Sequence, residues 1–203
     1  MSGTQKAHGI MIWGAPGIGK TFLVSEVVKN MKHTDGINLN CLEVNVSAFE
    51  RSDLTIPIKS ENEGAVEMAI QSWIPAYQKT GDIEVDTIRE NFYTKCMHLT
   101  KSTPNGTHMA LKDADGDEYQ GGILFLDELA RMDPHAMNVL MGMQDRKIGS
   151  LTLPNSWGII CASNRDIDDV NQPGLKTMNG SAFNDRFEKI LLFVPTRDEF
   201  LEY

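Results

Sequence analysis

The most constraining feature of this 203-residue chain is a segment near its start, Gly14-Ala15-Pro16-Gly17-Ile18-Gly19-Lys20-Thr21. It fits the pattern G-x-x-x-x-G-K-[ST], whose glycines let backbone N–H groups converge on an anion. An apolar run precedes it at residues 10–13, and apolar residues at helical spacing follow from Phe22. This order of strand, glycine loop and helix predicts a phosphate-binding loop. The Lys20 ammonium would reach the phosphates and the Thr21 hydroxyl would ligate Mg²⁺. The alternative is a glycine-rich turn with a solvated lysine.

Apolar runs that alternate with helical patterns predict an α/β fold of three layers around a mostly parallel, five-stranded sheet. The predicted strands are residues 9–13, 41–46, 123–126, 157–162 and 190–194. The predicted helices are residues 20–32, 63–79, 86–99, 134–145 and 181–187. A chain of this length suits one domain with a sizeable core.

Composition narrows the class of protein. Hydrophobic residues make up 41% and charged residues 23%, as in globular proteins, and a net charge of −9 disfavours a general polyanion-binding surface. No segment has the length and apolarity of a membrane span, and the first residues lack a signal peptide's apolar core. Cys41, Cys96 and Cys161 are far apart in sequence, which favours reduced core residues over disulfides or metal ligands. We therefore expect a cytoplasmic protein without a membrane partner.

Polar residues follow two of the predicted strands at their carboxyl ends, where ligands bind in α/β sheets. Asp127 and Glu128 follow residues 123–126, and Asn164 closely follows residues 157–162. Beside a phosphate-binding loop, Asp127 can hold Mg²⁺, Glu128 can accept a proton from an attacking water, and Asn164 can orient that water. The alternatives are an acidic pair that ends a strand by chance and an asparagine that only forms a turn.

The acidic run Asp113-Ala114-Asp115-Gly116-Asp117 is only superficially similar to a calcium-binding loop. An EF-hand loop needs glycine at its sixth position and glutamate at its twelfth. Here Gly116 is fourth and Leu124 is twelfth. We therefore expect a solvated turn within a hairpin that spans residues 107–120.

Four segments together resemble the Walker A, Walker B, sensor-one and arginine-finger motifs of AAA+ ATPases: residues 14–21, 123–128, 161–164 and 184–187. Four segments also resemble motifs of the MoxR-like branch, a clade with an insert in helix two. They are Ser52-Asp53-Leu54-Thr55, residues 127–134, residues 143–148 and Asp185-Arg186-Phe187. The resemblance covers nearly the whole chain and implies the P-loop NTPase fold of AAA+ type.

The resemblance implies ATP and Mg²⁺ as cofactors and assigns a role to each matching residue. Residues 14–21 together with Phe22 would bind the nucleotide, Thr21 and Asp127 would bind the metal, and Glu128, Asn164 and Arg186 would act in catalysis. Arg186 would act in trans on the ATP of a neighbouring subunit, which implies a ring, usually a hexamer in this family. By itself, Arg186 would be a surface arginine paired with Asp185 or Glu188.

The function that the resemblance implies is ATP hydrolysis in a ring that remodels a protein partner, in some cases beside a von Willebrand factor A-type protein. Two alternatives stay open. One is a motor or loader linked to nucleic acid, similar to McrB-like proteins or helicase loaders, and the acidic charge disfavours it. The other is a nucleotide switch without hydrolysis, which would have no need of the base Glu128.

The resemblance also implies where the domains of the chain begin and end. Residues 1–195 would form the AAA+ nucleotide-binding core, with an irregular insert of helices and a hairpin at residues 57–121. Residues 196–203 would begin the helical lid of the family, most of which we expect to be absent from this chain.

Substituting Lys20→Ala is expected to abolish nucleotide binding, because the loop loses its phosphate-binding cation. Isothermal titration calorimetry with ATP tests this. Retained affinity in the nanomolar to micromolar range would contradict the assignment of the loop, since such affinity corresponds to roughly −8 to −12 kcal/mol.

Overall fold

The computed structural model describes residues 9–47, 49–50, 55–59, 66–70, 74–95, 112–113, 115–148, 151–165, 173–174, 178–180, 183 and 185–193. In chain order, its regular elements are β1 (Gly9–Trp13), α1 (Lys20–Asp35), β2 (Leu39–Asn45), β3 (Thr55–Lys59), β4 (Val66–Ile70), β5 (Tyr77–Gln78), α2 (Ile83–Lys95), β6 (Gly121–Asp127), a 3-10 helix (Leu129–Arg131), α3 (Pro134–Gln144), β7 (Lys147–Ile148), β8 (Leu151–Thr152), β9 (Trp157–Ser163) and β10 (Phe187–Leu191).

A five-stranded sheet with the strand order β10-β1-β9-β6-β2 lies at the centre of the fold, and each neighbouring pair is parallel. Alternate residues of a strand point to opposite faces. On one face, Ile12 and Phe125 pack with Val24 of α1. On the other face, Leu124 belongs to a larger cluster that includes Met137 of α3. The predicted α/β fold, with a five-stranded parallel sheet between helical layers, is confirmed.

The helices on the two faces of the sheet begin in different ways. The carboxylate of Asp133 caps α3 by accepting hydrogen bonds from the N–H groups of His135 at 2.9 Å and Ala136 at 3.1 Å. Gly19, which has no side chain, stands at the same position before α1. The first N–H groups of α1 are therefore left for another acceptor. α1 extends three residues beyond its predicted end at residue 32 and stops at Asp35, directly before Gly36, which has a left-handed φ of 68°.

The prediction of a helix at residues 63–79 was wrong. Residues 66–70 form β4, which pairs antiparallel with β3, and residues 77–78 form β5, which pairs antiparallel with β8. The sequence of β4 places Val, Met and Ile at every second position, which is the period of a strand. Pro75 also lies within the predicted helix, where it would remove a backbone hydrogen bond.

The last strand begins earlier than predicted. Phe187 starts β10, so it does not belong to a short helix, and β10 ends at Leu191 instead of extending through residues 190–194. The error arose because the prediction required a wholly apolar run. β10 lies at the edge of the sheet and tolerates polar residues such as Glu188 and Lys189, both of which are exposed.

The insert region contains one helix that agrees with its prediction. α2 begins at Ile83, three residues before the predicted start, because Asp82 caps it by accepting from the N–H groups of Glu84 and Val85. The predicted end of this helix and the predicted lid at residues 196–203 lie outside the described residues. Of the predicted hairpin at residues 107–120, the described part contains one antiparallel bridge, between Lys112 and Glu118.

The acidic turn is tied to the end of α1 by a lysine. Lys32 Nζ forms ion pairs with Asp113, with Asp115 Oδ2 at 2.8 Å and with Asp117 Oδ2 at 3.2 Å. Asn38 Nδ2 also donates to Asp113 Oδ2 at 3.0 Å. The prediction of a solvated turn is correct for Asp115 and Asp117, whose side chains are 77% and 65% exposed. It is wrong for Asp113, whose side chain is 13% exposed.

Substituting Asp133→Ala is expected to lower the free energy of unfolding by about 1 kcal/mol, because α3 loses the acceptor at its N-cap. Urea unfolding measures the change. Asp133→Asn keeps an acceptor oxygen and is the matched control, with an expected loss of a few tenths of a kcal/mol. Equal losses in the two variants would show that the negative charge of Asp133, and not its hydrogen bonds as an N-cap, stabilises α3.

Substituting Lys32→Met is expected to lower the Tm at pH 7, with a difference from wild type that shrinks in acid. The hydrogen bond from Lys32 lowers the pKa of Asp113. Its stabilisation is therefore fully present above the unfolded-state pKa of about 3.9 and is lost as the pH falls through the lower folded-state value. Thermal unfolding from pH 7 to pH 2 measures this.

Lys29→Met is the control for this experiment, because Lys29 lies one turn away on α1 and pairs with Glu26 on the helix surface. Its effect on the Tm should be small at every pH. A Lys32→Met deficit that persists unchanged at pH 2 would contradict the role of the ion pair.

Candidate functional site

The side chain of Lys20, the first residue of α1, lies against the loop that precedes it. Its Nζ donates to the carbonyl oxygens of Gly14 at 3.1 Å and Ala15 at 3.2 Å, and to Asn164 Oδ1 at 2.9 Å. Lys20 and Asn164 are each 8% exposed. A buried ammonium is costly unless polar groups surround it. These oxygens therefore hold a positive charge inside the site.

Thr21 and Asp127 form a second contact between the loop and the sheet. Thr21 Oγ1 donates to Asp127 Oδ2 at 3.1 Å, and Asp127 Oδ1 accepts from the N–H of Glu128 at 2.8 Å. A hydroxyl and a carboxylate are the hard oxygen ligands that Mg²⁺ prefers. The residues present therefore fit the metal that the sequence predicts for them.

The backbone of the glycine loop leads the chain into α1 through left-handed conformations. Gly17 and Gly19 have φ values of 75° and 90°, which disfavour residues with a side chain. A Cβ on Gly14 would lie 3.1 Å from Ile18 Cγ2 and 3.2 Å from Leu192 Cβ. The loop ends at the uncapped start of a 16-residue helix, where exposed N–H groups and the helix dipole favour an anion.

The parallel order of β1, β9 and β6 explains why these separate segments meet. Their carboxyl ends lie at one edge of the sheet, and the Gly14 N–H donates to the carbonyl oxygen of Ser163 at 3.3 Å. Of the residues predicted for the site, the structure brings together the side chains of Lys20, Thr21, Asp127 and Asn164. The two contacts involve consecutive residues of α1, Lys20 and Thr21, and their binding of a nucleotide stays a prediction.

Glu128 follows Asp127 with a backbone conformation that is rare for a residue with a side chain. Its φ is 58°, in the left-handed region, and it directly precedes the 3-10 helix of residues 129–131. Its side chain is 32% exposed, with Oε2 at 3.5 Å from Arg131 Nη1. The carboxylate is thus accessible from solvent, next to the predicted metal ligand.

Ser163, for which the sequence predicted no role, connects both halves of the site. Its hydroxyl oxygen accepts a hydrogen bond from the Ala130 N–H at 3.2 Å, and its carbonyl oxygen accepts one from the Gly14 N–H. The signal that could have identified it is a hydroxyl residue at the end of a buried apolar strand.

Arg186 lies far from these groups within the chain. Its carbonyl oxygen accepts from the N–H of Gly9, at the start of β1, whereas Gly14 follows the other end of that strand. Five residues of β-strand separate the two positions by roughly 16 Å. Arg186 Nη2 lies 3.5 Å from Asp145 Oδ2. An ion pair with Asp145 thus joins Arg186 to the end of α3, an acidic partner that the sequence analysis did not propose.

Three further predictions concern residues outside the centre of the site. The side chain of Phe22 is 69% exposed, and its contact with a nucleotide stays a prediction. Cys41 and Cys161 are both free thiols, as predicted, and burial raises the pKa of each. Cys96 lies outside the described residues. Within the described part of the chain, none of the helices combines the length and apolarity needed to cross a membrane.

Two solved structures are similar to this chain over nearly its full length. A Cytophaga hutchinsonii protein, provisionally named an ATPase, has 18% identity and a TM-score of 0.49, and the match covers 97% of this chain and 45% of that one. A variant of Thermotoga maritima RuvB has 14% identity and a TM-score of 0.48, covering 96% and 41%. This chain thus spans less than half of either protein. At these TM-scores, the two similarities do not establish a fold or a function. No curated protein matches.

A family model supplies the stronger finding. The model of the ATPase family associated with various cellular activities matches residues 10–185, which include the glycine loop, Asp127, Glu128 and Asn164. The matched region is most of the chain and contains β2, β6, β9 and all of β1 except its first residue, whereas β10 follows the end of the match. The chain belongs to the ATPase family associated with various cellular activities, the AAA family.

Proposed function

We propose that this protein binds ATP with Mg²⁺ and hydrolyses it by transferring the γ-phosphoryl group to water. The observation that carries the proposal is the pair of contacts that join the loop to the sheet, from Lys20 to Asn164 and from Thr21 to Asp127. They unite a cationic phosphate-binding loop with the groups that phosphoryl transfer requires. Membership of an ATPase family supports the same reaction.

In this proposal each group acts from where it now lies. The Lys20 ammonium exchanges contacts with backbone carbonyls for contacts with phosphate oxygens. The N–H groups at the start of α1 bind the remaining phosphate charge. Glu128 accepts the proton of the attacking water, and the Asn164 amide orients that water. Thr21 and Asp127 would hold Mg²⁺, which neutralises phosphate charge when bound.

The proposal extends to an assembly in which Arg186 serves a neighbouring subunit. Arg186 lies at the opposite end of β1 from the glycine loop, which supports action on a nucleotide bound by another chain. An arginine supplied in this way stabilises transition-state charge, and its loss costs a factor of about 10³ or more in kcat. We propose a ring, with the hexamer usual for such proteins as its expected size.

The finer assignment is to the MoxR-like branch, whose motifs are similar to residues 127–134, 143–148 and 185–187. In this assignment residues 1–195 are the nucleotide-binding core, the insert at residues 57–121 is particular to this chain, and residues 196–203 begin a lid. The ring would remodel a protein client, with a von Willebrand factor A-type protein as a candidate partner.

ATPase assays separate this function from the two alternatives. Turnover that DNA leaves unchanged supports a protein remodeller, whereas strong stimulation by DNA would favour a nucleic-acid motor. The assay has to include high protein concentration, because Arg186 comes from a neighbour. Nucleotide binding without turnover even at that concentration would favour a switch.

Substituting Glu128→Gln is expected to leave ATP binding intact, to reduce turnover by at least about 100-fold and to stabilise the ATP-bound assembly. The amide keeps the shape of the side chain but cannot accept the proton of the attacking water, a role typically worth 10²- to 10⁴-fold. Phosphate release and light scattering with ATP measure the two effects. Undiminished phosphate release would refute the assignment of Glu128 as the base.

A further inference from the structure

We propose that Ser163 is a positioning residue for hydrolysis, which fixes Glu128 through the backbone of the following turn. This inference rests on the proposed ATPase function and adds a residue that acts without touching the nucleotide. The Ser163 hydroxyl accepts the Ala130 N–H at 3.2 Å, two residues after Glu128. Ser163 is 1% exposed and Ala130 is fully buried, so solvent does not provide a substitute acceptor.

The peptide groups around Ala130 are held on both sides. Its N–H donates to Ser163, and its carbonyl oxygen accepts from the Gly174 N–H at 2.8 Å. Gly174 fits closely, since a Cβ there would lie 2.9 Å from that carbonyl oxygen and 2.3 Å from Met137 Cε. Two separate parts of the chain therefore fix the position of this short turn.

Glu128 is the residue that needs such support. Its left-handed φ of 58° is unfavourable for a side chain of this size and persists only where the surroundings enforce it. Within the turn, the Glu128 carbonyl oxygen accepts from the Arg131 N–H at 2.9 Å. Because the Ala130 N–H lies inside this same turn, its bond to Ser163 ties the conformation of Glu128 to the end of β9.

The effect of losing this bond should be selective. The proposed phosphate-binding groups are Lys20, Thr21 and the N–H groups of α1. The hydrogen bonds described for the side chains of Lys20 and Thr21 are with Gly14, Ala15, Asn164 and Asp127. The Gly14 N–H bonds to the backbone carbonyl of Ser163, which an alanine retains. A Ser163→Ala substitution therefore disturbs the base and leaves the nucleotide-binding loop in place.

The test compares Ser163→Ala with Ser163→Thr, which keeps the hydroxyl, and with Ile148→Val. Ile148 is buried to 1% exposure in β7, a strand of the separate sheet formed by β5, β8 and β7, so its variant controls for the loss of one buried heavy atom. We expect Ser163→Ala to lower kcat about tenfold or more and to change the Kd for ATP by less than about threefold. Ser163→Thr should recover most of the loss, and Ile148→Val should keep kcat within about twofold.

A second readout does not depend on activity. Amide hydrogen exchange in the nucleotide-free protein should accelerate at Ala130 in Ser163→Ala by about tenfold or more. The Val46 N–H, which donates to the Asp127 carbonyl oxygen at 3.0 Å on the other side of β6, is the internal control and should not change. Gly174→Ala, which displaces the same turn from its other side, should give the same selective loss of kcat.

Several outcomes would overturn the inference. These are a kcat for Ser163→Ala no lower than that of Ile148→Val, a parallel loss of ATP affinity, and unchanged exchange at Ala130. If the wild-type protein hydrolyses ATP and Glu128→Gln does not, any of these outcomes refutes the role of Ser163 while the proposed function stands. If the wild-type protein has no turnover, the proposed function fails, and the exchange rate at Ala130 decides whether Ser163 holds the turn.

Discussion

The adjacency of three parallel strands is the constraint on which the site depends. β1, β9 and β6 end at the same edge of the sheet, and each delivers a different group there. β1 leads to the glycine loop, β9 to Asn164 and β6 to Asp127. The hydrogen bond from Lys20 to Asn164 joins positions that are 144 residues apart in the chain, and only the sheet makes that contact possible.

Two energetically unfavourable features determine the electrostatics of the site. One is a buried ammonium at Lys20, and the other is a helix whose first N–H groups no side chain of Gly19 can satisfy. Both costs diminish when an anion binds, because the anion pairs with the cation and accepts from the N–H groups. α3 contrasts with α1, since Asp133 already supplies the negative oxygen at its start. A single residue, Gly19 before α1 and Asp133 before α3, thus decides whether a side chain of the protein caps the start of each helix.

The sheet and the centre of the site could be predicted because their signals are local. Apolar runs identified four strands within a few residues, and the glycine pattern identified the loop. The error at residues 63–79 arose where an apolar segment fits both the helix and the strand period, although Pro75 disfavours a continuous helix there. β10 was displaced because an edge strand carries polar residues that a search for apolar runs rejects.

Other features could not be predicted because they depend on distant partners. The Lys32 ion pairs reach 81 to 85 residues along the chain, and the bond from Ala130 to Ser163 spans 33. A serine at the end of a strand and a lysine near the end of a helix are ordinary residues in sequence. Their roles become apparent only in the folded structure, where Ser163 lies next to Ala130 and Lys32 lies next to the acidic turn.

The central place of β9 also limits how this molecule can move. It is the third of five strands and is hydrogen-bonded to β1 on one side and β6 on the other. Sliding it by one residue would break both ladders and turn each of its side chains to the opposite face. The sheet is therefore a stationary frame for the side chains and loops at its edge.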